Sequence, residues 1–102
     1  MKIVTSDFGI VEVKPKRLFE HNGIRYAIVS VPYKYLNNNE THYIDKCVHY
    51  LTGWQIPVYN IHHKATIKKY IEASKQVLDN ILSYLGEDAF NKEINSKEVL
   101  NK

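Results

Sequence analysis

The side chains best suited to acid–base or metal chemistry in this sequence are five histidines, His21, His42, His49, His62 and His63, and one cysteine, Cys47. Cys47 and His49 stand two apart, so an extended chain carries both on one face. If the next strand brought His62 or His63 alongside, a Cys–His–His cluster would form. The ligand spacings of zinc sites are nevertheless missing, with neither a C-x₂-C pair nor an H-x₃₋₅-H pair. No metal and no cofactor are therefore expected. A thiol–imidazole pair is disfavoured too, because neighbours two apart on a strand project in parallel with Cβ atoms ~6.5–7 Å apart. Glu12, Glu20, Glu40 and Asp45 are scattered without paired spacing, and there is no G-x-G-x-x-G, P-loop or G-x-S-x-G motif. A small hydrolase or toxin that depends on His62 and His63 is an alternative, and it predicts pH-dependent activity lost on His62→Ala or His63→Ala. The primary expectation is a protein that is not an enzyme.

Recognition chemistry is better represented. Of eight tyrosines, six lie in the first sixty residues together with Trp54. Tyrosine is good strand material, so several are expected simply to line the edge of a core. Tyr33-Lys34-Tyr35 opens a polar segment that ends in Asn37-Asn38-Asn39. Exposed aromatics beside lysines suit protein-interface anchors or stacking platforms for single-stranded bases. Tyr33, Lys34, Tyr35, Asn37, Asn38, Asn39 and Trp54 are the expected partner contacts. Lys14, Lys16, Arg17, Lys64, Lys68 and Lys69, with Lys34, form the alternative footprint for nucleic acid. Twelve of the fourteen basic residues are lysines, however, and bidentate reading of bases or phosphates favours arginine. A protein partner is therefore favoured over nucleic acid.

These residues need a scaffold. From Thr66 to Leu85, apolar residues at Ile67, Tyr70, Ile71, Val77, Leu78, Ile81, Leu82 and Leu85 step by threes and fours, which predicts an amphipathic helix. Thr66 is its expected N-cap and Gly86 its C-cap, and Lys68–Glu72 and Lys75–Asp79 are spaced to pair across a turn. Residues 1–60 read as strands. Asn22-Gly23 predicts a type I′ hairpin turn between Leu18–Glu20 and Ile24–Val31, and the second of these strands, apolar on both faces, should be central. Lys2–Thr5 and Ile10–Val13 form a further strand or short hairpin. Pro32–Thr41 reads as a loop, with a turn of helix conceivable over Tyr33–Leu36. Strands follow at His42–Tyr50 and Trp54–Tyr59, the last an edge strand because of Pro57. Residues 87–102 form a tail in which one turn buries Phe90. The Asn95–Glu98 spacing suggests a small terminal helix over Val99 and Leu100, with fraying as the alternative. The expected architecture is α+β, one antiparallel sheet of four or five strands against one long C-terminal helix, in a single domain spanning 1–102.

Composition is that of a globular protein, 44% hydrophobic and 25% charged, without an apolar run of the ~20 residues needed to cross a bilayer. The first ten residues lack signal-peptide character and the single cysteine allows no intrachain disulfide, so a cytoplasmic location without membrane contact is expected. The formal charge of +3 is uneven: residues 1–77 carry eleven basic against six acidic side chains, residues 78–102 three against five. Oligomeric state is left open.

At Val48-His49-Tyr50-Leu51-Thr52-Gly53-Trp54-Gln55-Ile56, followed by Thr66-Ile67-Lys68-Lys69, the chain resembles small uncharacterised proteins carried by phages and mobile elements of low-GC bacteria. The resemblance runs from Val48 into the long helix and brings no catalytic residue with it. It implies a short accessory protein that binds and blocks a host or defence-system protein, as anti-CRISPR proteins do. Many nuclease inhibitors are acidic mimics of nucleic acid; this basic chain would instead act by direct steric or allosteric binding.

Overall fold

The computed structural model describes residues 1–35, 40–58 and 65–102. It is α+β, with two antiparallel sheets and two helices among those residues: β1 (Lys2–Thr5), β2 (Gly9–Glu12), β3 (Arg17–His21), β4 (Ile24–Lys34), β5 (Thr41–His49), α1 (Ile67–Leu85) and α2 (Glu87–Asn95). The expected single sheet is in fact two: β1–β2 form a hairpin of their own, and β3–β4–β5 form a three-stranded sheet.

The alternation along β4 explains the layering. Tyr26 and Ile28 join Cys47, Val58, Leu78 and Phe90 in a buried cluster beneath the helices. Ala27, Val29 and Val31 point the other way and pack with Ile3 and Val48, closed by Met1, Val11 and Val13. The short hairpin thus covers one face of the sheet and α1 the other, which leaves β4 central in a three-layer stack. Asn22 and Gly23 both take positive φ (52° and 77°), as a type I′ turn demands.

Helix α1 forms where the periodicity places it. Thr66 Oγ1 accepts from the Lys69 N–H at 3.2 Å, and Gly86, at φ 85°, donates its N–H to the Leu82 carbonyl at 2.8 Å. The expected Lys75–Asp79 and Lys68–Glu72 pairs do not form. Asp79 instead takes the His21 ring at 2.7 Å, tying α1 to β3.

Three further expectations need correction. Pro32–Lys34 are not loop or helix but the end of β4, opposite Tyr43, His42 and Thr41. Beyond Ile28, β4 has no β3 beside it, so an open edge tolerates a proline. Residues 54–58 make one bridge, Val48 to Gln55, rather than a strand. The His49 N–H to Trp54 carbonyl and Ile56 N–H to Cys47 carbonyl bonds, both 2.8 Å, flank that bridge, and Pro57 follows them. The tail is neither frayed nor helical over Val99: α2 ends at Asn95, and Asn101 is buried. Its side chain accepts from the Lys2 N–H (2.7 Å) and donates to the Lys2 and Tyr50 carbonyls (2.8 and 2.7 Å).

No helix among the described residues is long and apolar enough to cross a membrane.

Candidate functional site

The residues picked out for chemistry are buried or apart. Cys47 lies in the core under α1, where burial pushes its thiol up to about 12, against the opposing effect of the Ser74 hydroxyl. A thiol so placed is a packing group rather than a nucleophile. Among the described residues no three His, Cys, Asp or Glu side chains gather in a metal-holding group. His62, His63 and Lys64 lie outside the described residues, as do Asn37, Asn38 and Asn39.

His49 is different. It shares the helix-side face with Cys47, as the spacing predicts, but ends beneath the turn that follows β5. Its Nδ1 is 2.8 Å from Thr52 Oγ1 and its ring meets Tyr26 edge-on, centroids 5.9 Å apart. Burial lowers its pKa below the ordinary 6.5, which keeps the ring neutral at pH 7. Unfolding near that value takes up a proton that the native state refuses. Its share of stability is thus complete above pH 6.5 and is lost as pH falls below it. A parent protein whose urea midpoint drops between pH 7.5 and 5.5, beside a His49→Gln variant with a visibly shallower drop, is the expected result; parallel curves would refute it.

The expected partner contacts divide between two places on the hairpin-covered side. Tyr35 is 54% exposed and packs on His42 at 5.0 Å, with Tyr33 5.7 Å from the same ring. The Lys34 backbone N–H donates to Asp7 at 2.8 Å, while its ammonium stands 5.4 Å over Phe8, so the β1–β2 turn braces the end of β4. Trp54, 44% exposed, lies under the Lys97 ammonium at 4.7 Å.

Three adjoining hollows of about 380–390 Å³ each connect these places. The first, between Ile10, Trp54 and Leu100, shares Val4 and Trp54 with the second. The second shares Ser6 and Gln55 with the third, which ends at Tyr33, Ile44 and Lys46. Together they form a trough-like row beside β1, with Trp54 lining the first two. The hairpin is too narrow to cover all of the sheet, so the β5 side chains Ile44 and Lys46 stay open beside it.

The trough therefore unites Tyr33 and Trp54, and leaves Tyr35 and Lys34 at its end. Sequence reasoning missed Ile10, Ile44, Lys46 and Gln55. The alternation His42, Ile44, Lys46 along β5 carried a signal for two of them; nothing local marked Ile10 or Gln55. The lysine footprint is less unified. Lys16 is engaged with Asp45 at 2.8 Å, while Lys14, Arg17, Lys68 and Lys69 are exposed.

A separate cleft of about 410 Å³ opens at the other end of the sheet, between the β3–β4 turn, the end of β5 and α2. His49 lines it together with Glu20, Arg25 and Tyr50, and the Arg25 guanidinium carbon lies 5.2 Å from the Tyr50 ring centroid.

Comparison with protein-family models, curated proteins and solved structures finds no match to this chain.

Proposed function

We propose that this protein is a non-enzymatic binding module that recognises another protein through the Trp54 trough. The observation that carries the reading is a row of three hollows that share wall residues, with a half-exposed tryptophan lining two of them, apolar walls from Ile10 and Ile44, and lysines at the margin. Exposed aromatics in concave, partly desolvated settings are where interface energy concentrates. The narrower expectation from the sequence resemblance, inhibition of a bacterial defence nuclease as by an anti-CRISPR, names one class of partner for this groove.

Affinity capture from a bacterial host, with and without nuclease, tests the reading. A stoichiometric protein partner that survives nuclease is expected. Trp54→Ala should weaken its binding by tenfold or more, about 1.4 kcal/mol, while changing stability by less than about 1 kcal/mol. Capture of RNA or DNA alone, lost in high salt and insensitive to Trp54, would instead favour the lysine surface.

A further inference from the structure

The three-stranded sheet ends on two edges, and they are guarded unequally. On the outer side of β5 the Cys47 carbonyl and the His49 N–H are taken by Ile56 and Trp54, both at 2.8 Å. At the other edge lies β3. Its backbone phase follows from β4. The Tyr50 N–H donates to the Arg25 carbonyl, which turns the odd-numbered backbone groups of β4 toward β5. Those of Ile24, Tyr26 and Ile28 therefore face β3, and the Ile28 carbonyl accepts from the Lys16 N–H at 2.8 Å. Their partners His21, Phe19 and Arg17 turn inward, so the N–H and C=O groups of Leu18 and Glu20 point off the sheet. Nothing among the described residues bonds them.

The side chains sort with the same period. Phe19 packs on the helix-side cluster and stacks on Tyr26 with centroids 5.5 Å apart. Arg17 and His21 share that face, and Leu18 and Glu20 lie on the other. Arg17 is exposed and forms no ion pair among the described residues. Asp79, which holds the His21 ring at 2.7 Å, keeps its side chain 53% exposed. An unpaired cation at one end of the strand and a half-exposed carboxylate at the other complement each other when β3 is set against its own reversed sequence.

We propose that β3 pairs antiparallel with β3 of a second copy of this chain, about a two-fold axis at Phe19, joining the two sheets into one of six strands. In that register Leu18 and Glu20 exchange ladder hydrogen bonds with Glu20 and Leu18 of the second copy. Arg17 lies across from the second copy's His21, beside the Asp79 carboxylate that holds it, and the two Phe19 residues meet at the axis. Cross-strand aromatic and opposite-charge pairs are the contacts that stabilise such a ladder. Five-residue edges bury less than the ~1,000 Å² of a durable interface, so the dimer is weak and concentration-dependent.

The test is sedimentation equilibrium of the full chain from about 5 to about 500 µM, with amide hydrogen exchange at both ends of that range. A reversible monomer–dimer equilibrium is expected, in which the Leu18 and Glu20 amides gain protection with concentration. Because Leu18 stands across from Glu20 of the second copy, Leu18→Lys should tighten the dimer severalfold and Leu18→Glu should weaken it about tenfold. Arg17→Glu should also weaken it about tenfold, and Arg17→Lys much less. Leu18 and Arg17 belong to neither core cluster, so urea midpoints measured at the lowest concentration should stay near the parent's. A monomer at every concentration, protection gained at other amides instead, or loss of the dimer with Leu18→Lys and Leu18→Glu alike would overturn the proposal.

Discussion

Gly53→Ala is expected to cost about 3–5 kcal/mol and to lower the thermal midpoint by roughly 15–30 °C, enough to threaten the folded state of a domain this size. Gly53 takes φ +69°, where an L side chain is strained. The larger effect is steric. A Cβ at this position would fall 2.5 Å from the Lys2 carbonyl oxygen and 2.7 Å from Ile3 Cα, both backbone atoms of β1. Neither can swing away as a flexible side chain would. The same turn holds β1 through the Val4 N–H to Gly53 carbonyl bond at 2.9 Å, so relief of the overlap breaks the tie that seats the hairpin on the sheet. Gly23→Ala is the control: it has a similar positive φ of +77° but nothing within 4 Å of the added carbon, and should cost only about 1–2 kcal/mol. Equal losses for the two variants, measured by urea denaturation, would show that β1 does not press on this turn.

Asn101→Ala is expected to cost about 2–4 kcal/mol, a large effect for one residue next to the chain terminus. Three hydrogen bonds vanish together, and the Lys2 N–H and the Lys2 and Tyr50 carbonyls lose the partner that satisfied them in a part-buried place. The Leu100 and Asn101 N–H groups, both bonded to the Leu51 carbonyl, would loosen with it. Asn101→Asp keeps the acceptor for Lys2 but sets a carboxylate against two carbonyls, so it should be no better than alanine. Hydrogen exchange at the Lys2 amide separates local from global loss. Protection that falls further than the global stability means the tail detaches first. Unchanged protection together with an unchanged urea midpoint would show that the clamp contributes nothing.

These two residues hold the same junction, where β1, the turn after β5 and the C-terminal tail meet. The junction also borders the trough. Thr52, in that turn, bonds the cleft's His49 through its hydroxyl and borders the trough beside Trp54. The proposed partner groove is thus built beside a junction held by long-range ties.

The sequence by itself determined the elements whose causes are local. Asn22-Gly23 specified a tight hairpin, because two consecutive residues must accept positive φ. The three-and-four stepping from Ile67 to Leu85 specified α1 together with both its caps, because helix periodicity and capping involve residues within a turn or two of one another. The two apolar faces of Ile24–Val31 marked β4 as the central strand. Only the tertiary structure decided the rest. The hairpin's placement across the opposite face, rather than at a sheet edge, divided one expected sheet into two. Docking of Asn101 on Lys2 turned an apparent frayed end into a clamp. The positions of Tyr33 and Trp54 along one row of hollows follow from which faces pack together. The physical reason is distance along the chain: propensity and periodicity report on neighbours, whereas these sites join residues that meet only once the layers have closed.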